Sequence, residues 1–145
     1  MDSLRIPAAR ARRALAVTLL AGIAGTSLAE TRSWDYKSHL KDRTSGQYSK
    51  DHFVTSTITL DEKDGKASFR MIMIGKGDPC ISRSDLPAEV VRDADTTTIT
   101  VTPPLAGCEP FRYLIRNDGS GGVRQNRRND QWVSDGFDHG LTPAN

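Results

Sequence analysis

Apolar and polar residues alternate through residues 53–60, which is the clearest pattern along the chain. Val54, Ile58 and Leu60 fall on one side together with Ser56, and three threonines fall on the other side. Successive side chains of a β-strand point to opposite faces of a sheet. This period of two therefore predicts a strand with one buried face.

The same alternation returns after a short charged segment. Residues 61–65 end in Gly65, which tolerates the left-handed backbone of a tight turn, and residues 66–74 then resume the pattern. The apolar side of this second segment consists of Ala67, Phe69, Met71 and Met73. The two segments together predict an antiparallel β-hairpin.

Residues 96–102 form a third segment, made almost entirely of β-branched residues. Thr97, Ile99 and Val101 face one way and threonines face the other. β-Branched side chains pack well on a pleated surface, so we expect a strand here. Two prolines follow directly and end it.

A second hairpin is predicted over residues 111–128. Phe111, Tyr113 and Ile115 alternate with Arg112, Leu114 and Arg116. Asparagine, aspartate and glycine dominate residues 117–122, which is typical of a tight turn, and residues 123–128 return antiparallel to the first strand. Trp132 and Val133 indicate one last short strand.

Two segments carry weaker signals. Residues 84–89 fit either a short helix capped by Ser84 or the approach to a strand that begins at Glu89, and we favour the helical turn. Residues 33–48 are polar and predict at most one edge strand or a short helix.

Six or seven short strands joined by hairpins predict an all-β or mostly β fold. We expect a small antiparallel β-barrel or β-sandwich with at most one short helix, and the sequence leaves both architectures open. Residues 30–145 are too few for a second core.

The first 29 residues have the order of a secretory signal peptide. Four arginines precede an apolar run from Ala14 to Ala24, and Ser27 and Ala29 supply the small residues of a cleavage site. This run is too short to remain as a membrane-spanning helix. We therefore expect residues 30–145 to form a periplasmic or secreted domain with no stable membrane insertion. The Arg12–Arg13 pair leaves the general and the twin-arginine export routes both open.

Removing the signal peptide changes the charge of the protein. The whole chain has 20 Lys and Arg residues against 18 Asp and Glu residues, a net charge of +2. Four of those arginines and Asp2 lie in the first 29 residues, which leaves 16 basic against 17 acidic side chains and a net charge of −1. The excess of positive charge belongs to the signal, so we expect no nucleic-acid partner.

The mature domain has two cysteines, Cys80 and Cys108. In an oxidising compartment an isolated pair predicts one disulfide bond. A reactive thiol pair would favour closer spacing, and a zinc site would need two further ligands. We therefore expect a structural bridge, with neither a metal nor another cofactor.

Arginines cluster in the second hairpin. If Arg112, Arg116, Arg124 and Arg128 share one strand face, as the even spacing within each strand suggests, their guanidinium groups form a surface suited to carboxylates or phosphates. We expect an acidic protein or an envelope polyanion to bind there. The alternative is a solvated outer face whose charges pair locally.

The C-terminal segment offers the only group of residues that resembles an active-site loop. Asp135, Asp138 and His139 could act as acid, base or metal ligands. The structural alternative is that Trp132, Val133, Phe137 and Leu141 hold the tail over one end of the core, while Asp138 and His139 form hydrogen bonds near the surface.

No serine-nucleophile motif or phosphate-loop motif is present in the sequence. We therefore expect a non-catalytic binding domain, which resembles small exported inhibitors and immunity-like proteins in architecture only. The alternative function is a small hydrolase or metal-dependent enzyme that uses Asp135, Asp138 and His139.

Overall fold

A computed structural model describes residues 29–72, 79–81 and 85–145. These residues contain nine strands and no helix, so the expected all-β, antiparallel domain is confirmed with more strands than the six or seven predicted. The strands are β1 (Glu30–Lys41), β2 (Tyr48–Lys63), β3 (Lys66–Ile72), β4 (Leu86–Arg92), β5 (Thr96–Val101), β6 (Phe111–Arg116), β7 (Gly122–Arg128), β8 (Gln131–Ser134) and β9 (Gly140–Pro143).

All nine strands belong to one antiparallel sheet in the order β8-β7-β6-β5-β4-β3-β2-β1-β9. The first eight strands form a meander, and β9 returns to pair with β1. The sheet curls strongly, because the ring of Tyr36 on β1 lies 5.5 Å from the ring of Tyr113 on β6. The sequence left a barrel and a sandwich both open, and the structure shows a single curled sheet that does not close.

The first predicted hairpin is confirmed as β2 and β3. Ile58 pairs with Met71 and Leu60 pairs with Phe69, so the two apolar sides face the same way. Gly65 has a φ of 73°, as expected for the turn that joins the strands. The predicted continuation of the second strand to Met73 and Ile74 lies outside the described residues.

Two of the weaker predictions are corrected by the structure. The described part of the favoured helical turn at residues 84–89 is a strand, because Leu86 already begins β4 and Ala88 pairs with Val101. Ser84, the expected cap, lies outside the described residues. The N-terminal segment forms the long strand β1, which is not an edge strand because β2 and β9 pair on either side of it.

The core fills the concave side of the curled sheet. It includes the predicted inward residues Ile99, Phe111, Tyr113 and Ile115, all of which are buried. The remaining buried apolar residues are Trp34, Tyr36, Ile58, Leu60, Phe69, Met71, Ile81, Leu86, Val101 and Leu141. Removing this apolar surface from water is the main stabilising contribution to the fold.

The expected disulfide between Cys80 and Cys108 is present. It links the connection between β3 and β4 to the loop that precedes β6. Ile81, next to Cys80, is buried in the core. The bridge therefore fixes two connections that also line a cavity of the described structure.

Candidate functional site

A cavity of about 520 Å³ opens at the concave side of the sheet. Its walls come from β1, β2, β3, β6 and β7, from the segment before β9, and from the two disulfide-linked connections. The lining residues are Tyr36, Ser38, His39, Tyr48, Met71, Cys80, Ile81, Gly107, Glu109, Phe111, Arg124, Asn126, Arg128, Asp135, Phe137 and His139. This volume falls within the range of small-molecule binding sites.

The structure divides the four predicted arginines between two faces of the sheet. Tyr113 pairs with Arg124, and Arg112 pairs with Gln125. Directly paired residues lie on the same face, so Arg124 points to the concave side with Tyr113 while Arg112 points outward. The predicted common face of Arg112, Arg116, Arg124 and Arg128 is therefore wrong. Their role in binding a partner stays a prediction.

The two outward arginines interact locally. The Arg112 guanidinium carbon lies 4.4 Å from the centre of the Trp132 ring, and its Nε donates a hydrogen bond of 2.7 Å to Gln125. Arg116 donates to the Ser120 hydroxyl and lies 3.6 Å from an Asp138 carboxylate oxygen. These contacts match the alternative of a solvated outer face with local pairing.

Arg124 lies in a different environment, on the inner wall of the cavity. Its guanidinium carbon is 4.9 Å from the centre of the Phe111 ring. Its Nε is buried and has no hydrogen-bond partner among the described residues. Within the same part of the chain, no carboxylate oxygen lies within 4.0 Å of its nitrogens. A buried cation without a paired anion is costly unless something compensates it.

The electrostatics of this wall keep Arg124 charged and its phenol neighbours neutral. Burial alone would lower the pKa of Arg124, but the neighbouring Tyr113 and Tyr36 hydroxyls and the Asp135 carboxylate outweigh it, so the pKa is raised. Burial raises the pKa of both tyrosines. The Tyr113 hydroxyl is also buried and has no hydrogen-bond partner among the described residues. The inner wall thus combines a fixed positive charge with neutral hydroxyl groups.

The C-terminal segment brings Asp135 and His139 together beside this wall. Their side chains meet at 2.6 Å between His139 Nε2 and a carboxylate oxygen of Asp135. His139 is 2% exposed, whereas the third predicted residue, Asp138, has a side chain that is 66% exposed. The expectation that His139 lies near the surface is therefore wrong. Leu141, expected to hold the tail, is fully buried.

Both ring nitrogens of His139 face oxygen atoms. Nδ1 donates a hydrogen bond of 2.8 Å to the backbone carbonyl of Lys37, and Nε2 lies against Asp135. Burial works against ionisation of Asp135 and would raise its pKa. The pKa of Asp135 is nevertheless lowered, because the carboxylate accepts hydrogen bonds from His139 and the Phe137 amide and is attracted by the imidazole. With both nitrogens engaged, the imidazole is placed to anchor the tail to β1 rather than to accept a proton from a substrate.

His39 joins this group although sequence reasoning gave no reason for the two segments to meet. Its ring stacks on Phe137 with centroids 4.3 Å apart and lies 5.4 Å from the ring of His139. Tyr48 packs against the edge of Phe137 and is 57% exposed. The three side chains form an aromatic rim around the mouth of the cavity. The alternation in β1 gives no signal for it, because the partner segment is about 100 residues away in sequence.

A close backbone contact holds the tail in this position. The amide of His139 donates to the carbonyl of Gly122 at 3.2 Å. A side chain at Gly122 would bring its Cβ within 2.4 Å of the Leu114 carbonyl and 2.8 Å of Leu141. Glycine is therefore required where the tail crosses the start of β7.

The described residues show no cluster of three or more His, Cys, Asp or Glu side chains arranged to hold a metal ion. Over the same ranges, no helix has the length and apolar character needed to span a membrane. Comparison with protein-family models, with curated proteins and with solved structures found no match. The cavity and its residues therefore supply the functional argument by themselves.

Proposed function

We propose that this protein is an exported, non-catalytic binding protein that holds a small anionic ligand in the concave cavity. The observation that carries the proposal is Arg124, a partly buried side chain that lines the cavity and whose buried Nε has no hydrogen-bond partner among the described residues. A bound anion would supply the charge and the acceptor that this group needs. The Tyr36 hydroxyl lies beside it and presents its oxygen to the guanidinium as a neutral acceptor.

Asp135 does not fill this role. Its carboxylate is engaged at 2.6 Å by His139 and also accepts a hydrogen bond of 3.2 Å from the Phe137 amide. It attracts Arg124 through space without pairing directly with it. The Nε of Arg124 is therefore left for a ligand to contact.

A small ligand is favoured over the acidic macromolecule expected from the sequence. That expectation required four arginines on one face, and only Arg124 and Arg128 line the cavity. Arg112 and Arg116 interact with Trp132 and Ser120 on the other face. A concave site of this size suits a molecule that enters the curl of the sheet.

The alternative function, a hydrolase centred on Asp135, Asp138 and His139, has one favourable observation, the short Asp135–His139 contact. Against it, the other nitrogen of His139 donates to a backbone carbonyl, and Asp138 contacts Arg116 at the surface. We therefore propose binding rather than catalysis.

Export is part of the proposal and is supported by two features. The signal-peptide pattern covers residues 1–29, and the domain contains a disulfide, which persists in oxidising compartments. We expect secreted or periplasmic protein to begin near Glu30. Mass spectrometry of that fraction would contradict export if the intact leader were still attached.

The ligand proposal is tested by calorimetric titration of the mature, oxidised protein with benzoate, inorganic phosphate and decanoate. We expect at least one anion to bind, and the Arg124→Gln variant to weaken that binding by at least tenfold. Arg112→Gln is the matched control, because it removes an arginine from the opposite face of the same hairpin. Binding of none of the three anions, or equal binding by both variants, would contradict the proposal.

A further inference from the structure

We infer that the ligand is an amphiphilic monocarboxylate, with its head group at Arg124 and its apolar chain extending along the cavity to the aromatic rim. This inference rests on the proposed function and specifies the class of ligand. It follows from the way charge and apolar surface are distributed over the cavity wall.

The head group faces a single positive charge. Arg128 also lines the cavity, but it lies four positions further along β7, roughly 13 Å away by the rise of a strand. Arg128 is exposed, whereas the Nε of Arg124 is buried, so Arg124 supplies the positive charge at the inner wall. Asp135 and Glu109 line the same cavity and repel a second negative charge. A monocarboxylate carries the single negative charge that one guanidinium balances, whereas a dianionic phosphate carries a second charge that these carboxylates repel.

Part of the cavity wall is apolar. Met71, Ile81 and Phe111 line the cavity and are each no more than 6% exposed. They come from β3, from the disulfide-linked connection and from β6, so apolar surface is present on more than one side. Where these core residues border the cavity, an alkyl chain would pack against them and a hydrophilic anion would not.

The rim continues the apolar path to solvent. His39 and Phe137 are stacked on each other, and Tyr48 packs against Phe137 with more than half of its surface exposed. One face of each ring is covered by the other, and a flexible chain can follow the aromatic surface that remains.

The test compares probes that differ in one property at a time. Butyrate and decanoate differ in chain length, decanoate and decanol differ in charge, and decanoate and decyl phosphate differ in head group. All titrations use monomeric probe below its aggregation concentration and the mature, oxidised protein. We expect decanoate to bind at least 100-fold tighter than butyrate, because each buried methylene adds to affinity. We expect decanoate to bind at least tenfold tighter than decanol and than decyl phosphate.

Two variants locate the ends of the ligand. Arg124→Gln should remove the preference for decanoate over decanol. Tyr48→Ser changes an exposed rim residue, so the fold is retained, and it should weaken decanoate several-fold while leaving butyrate unchanged. Arg112→Gln should change neither affinity.

The outcomes separate this inference from the function on which it rests. Binding of phosphate or benzoate that depends on Arg124, with no gain from butyrate to decanoate, would overturn the amphiphilic ligand and keep the anion site. Stronger binding of decyl phosphate than of decanoate would overturn the monocarboxylate. If decanol bound as well as decanoate and no probe depended on Arg124, both the inference and the proposed function would fail.

Discussion

His139 Nε2 lies 2.6 Å from a carboxylate oxygen of Asp135, and this contact joins the two ends of the segment between β8 and β9. The imidazole also donates to the Lys37 carbonyl of β1. The pair therefore connects the C-terminal tail to the long strand β1. Both side chains also line the cavity.

We expect the Asp135→Asn variant to lose about 2 kcal/mol of unfolding free energy at pH 7, because a hydrogen bond to an ionised carboxylate is lost in a partly buried site. Asp138→Asn is the control, since Asp138 is exposed and its hydrogen bond to the Gly140 amide needs only a carbonyl oxygen. Urea unfolding measures both. A loss as large in the control as in Asp135→Asn would contradict the role given to the pair.

The same carboxylate predicts a pH dependence. The folded pKa of Asp135 is lowered, so its ionised form contributes stability above the unfolded pKa of about 3.9, and this contribution is lost as the pH falls through the folded pKa. The difference in stability between the wild type and Asp135→Asn should shrink below about pH 4. Urea unfolding across pH 2.5 to 7 measures it, and a difference that grew on acidification would contradict the assignment.

We expect Tyr113→Phe to be more stable than the wild type by about 1 kcal/mol. The Tyr113 hydroxyl is buried and has no hydrogen-bond partner among the described residues, so removing it relieves an unsatisfied polar group. Ile115→Val, a nearby core substitution on the same strand, serves as the comparison and should be destabilising. A clear loss of stability in Tyr113→Phe would show that the hydroxyl forms a bond in solution.

Gly122→Ala should destabilise the fold by about 1–3 kcal/mol through overpacking. Its Cβ would approach the Leu114 carbonyl to 2.4 Å. Gly65→Ala separates this steric effect from backbone strain, because Gly65 has a φ of +73° and no neighbouring atom within 4 Å of the added Cβ. Thermal unfolding of both variants measures the difference. A smaller loss at Gly122 than at Gly65 would contradict the close packing of the tail.

Replacing Cys80 and Cys108 by alanine together should lower the unfolding free energy by up to about 3.6 kcal/mol, the loop-closure effect for a separation of 28 residues. Reducing the wild type should have a similar effect, whereas the double variant should not respond to reductant. Unfolding in the presence and absence of dithiothreitol measures both, and an insensitive wild type would contradict a stabilising bridge.

The sequence by itself determined β2, β3, β5 and β6 and the side of each that is buried, whereas it favoured a helical turn at the start of β4 and gave no strand for β9. The alternations around Ile58, Phe69, Ile99 and Tyr113 reappear as the core, because side-chain direction along one strand depends only on local backbone geometry. Paired cysteines likewise predicted the bridge.

Only the tertiary structure decided how the strands are paired and what the tail contacts. Even spacing shows that Arg112 and Arg116 share one face of their strand and that Arg124 and Arg128 share one face of theirs. The turn between the strands sets the register, which pairs Tyr113 with Arg124. This register places the two pairs of arginines on opposite faces of the sheet. The meeting of His39 with His139 depends on the curl of the whole sheet. A local sequence pattern carries no information about this long-range curling of the sheet. The cavity forms only because the sheet curls.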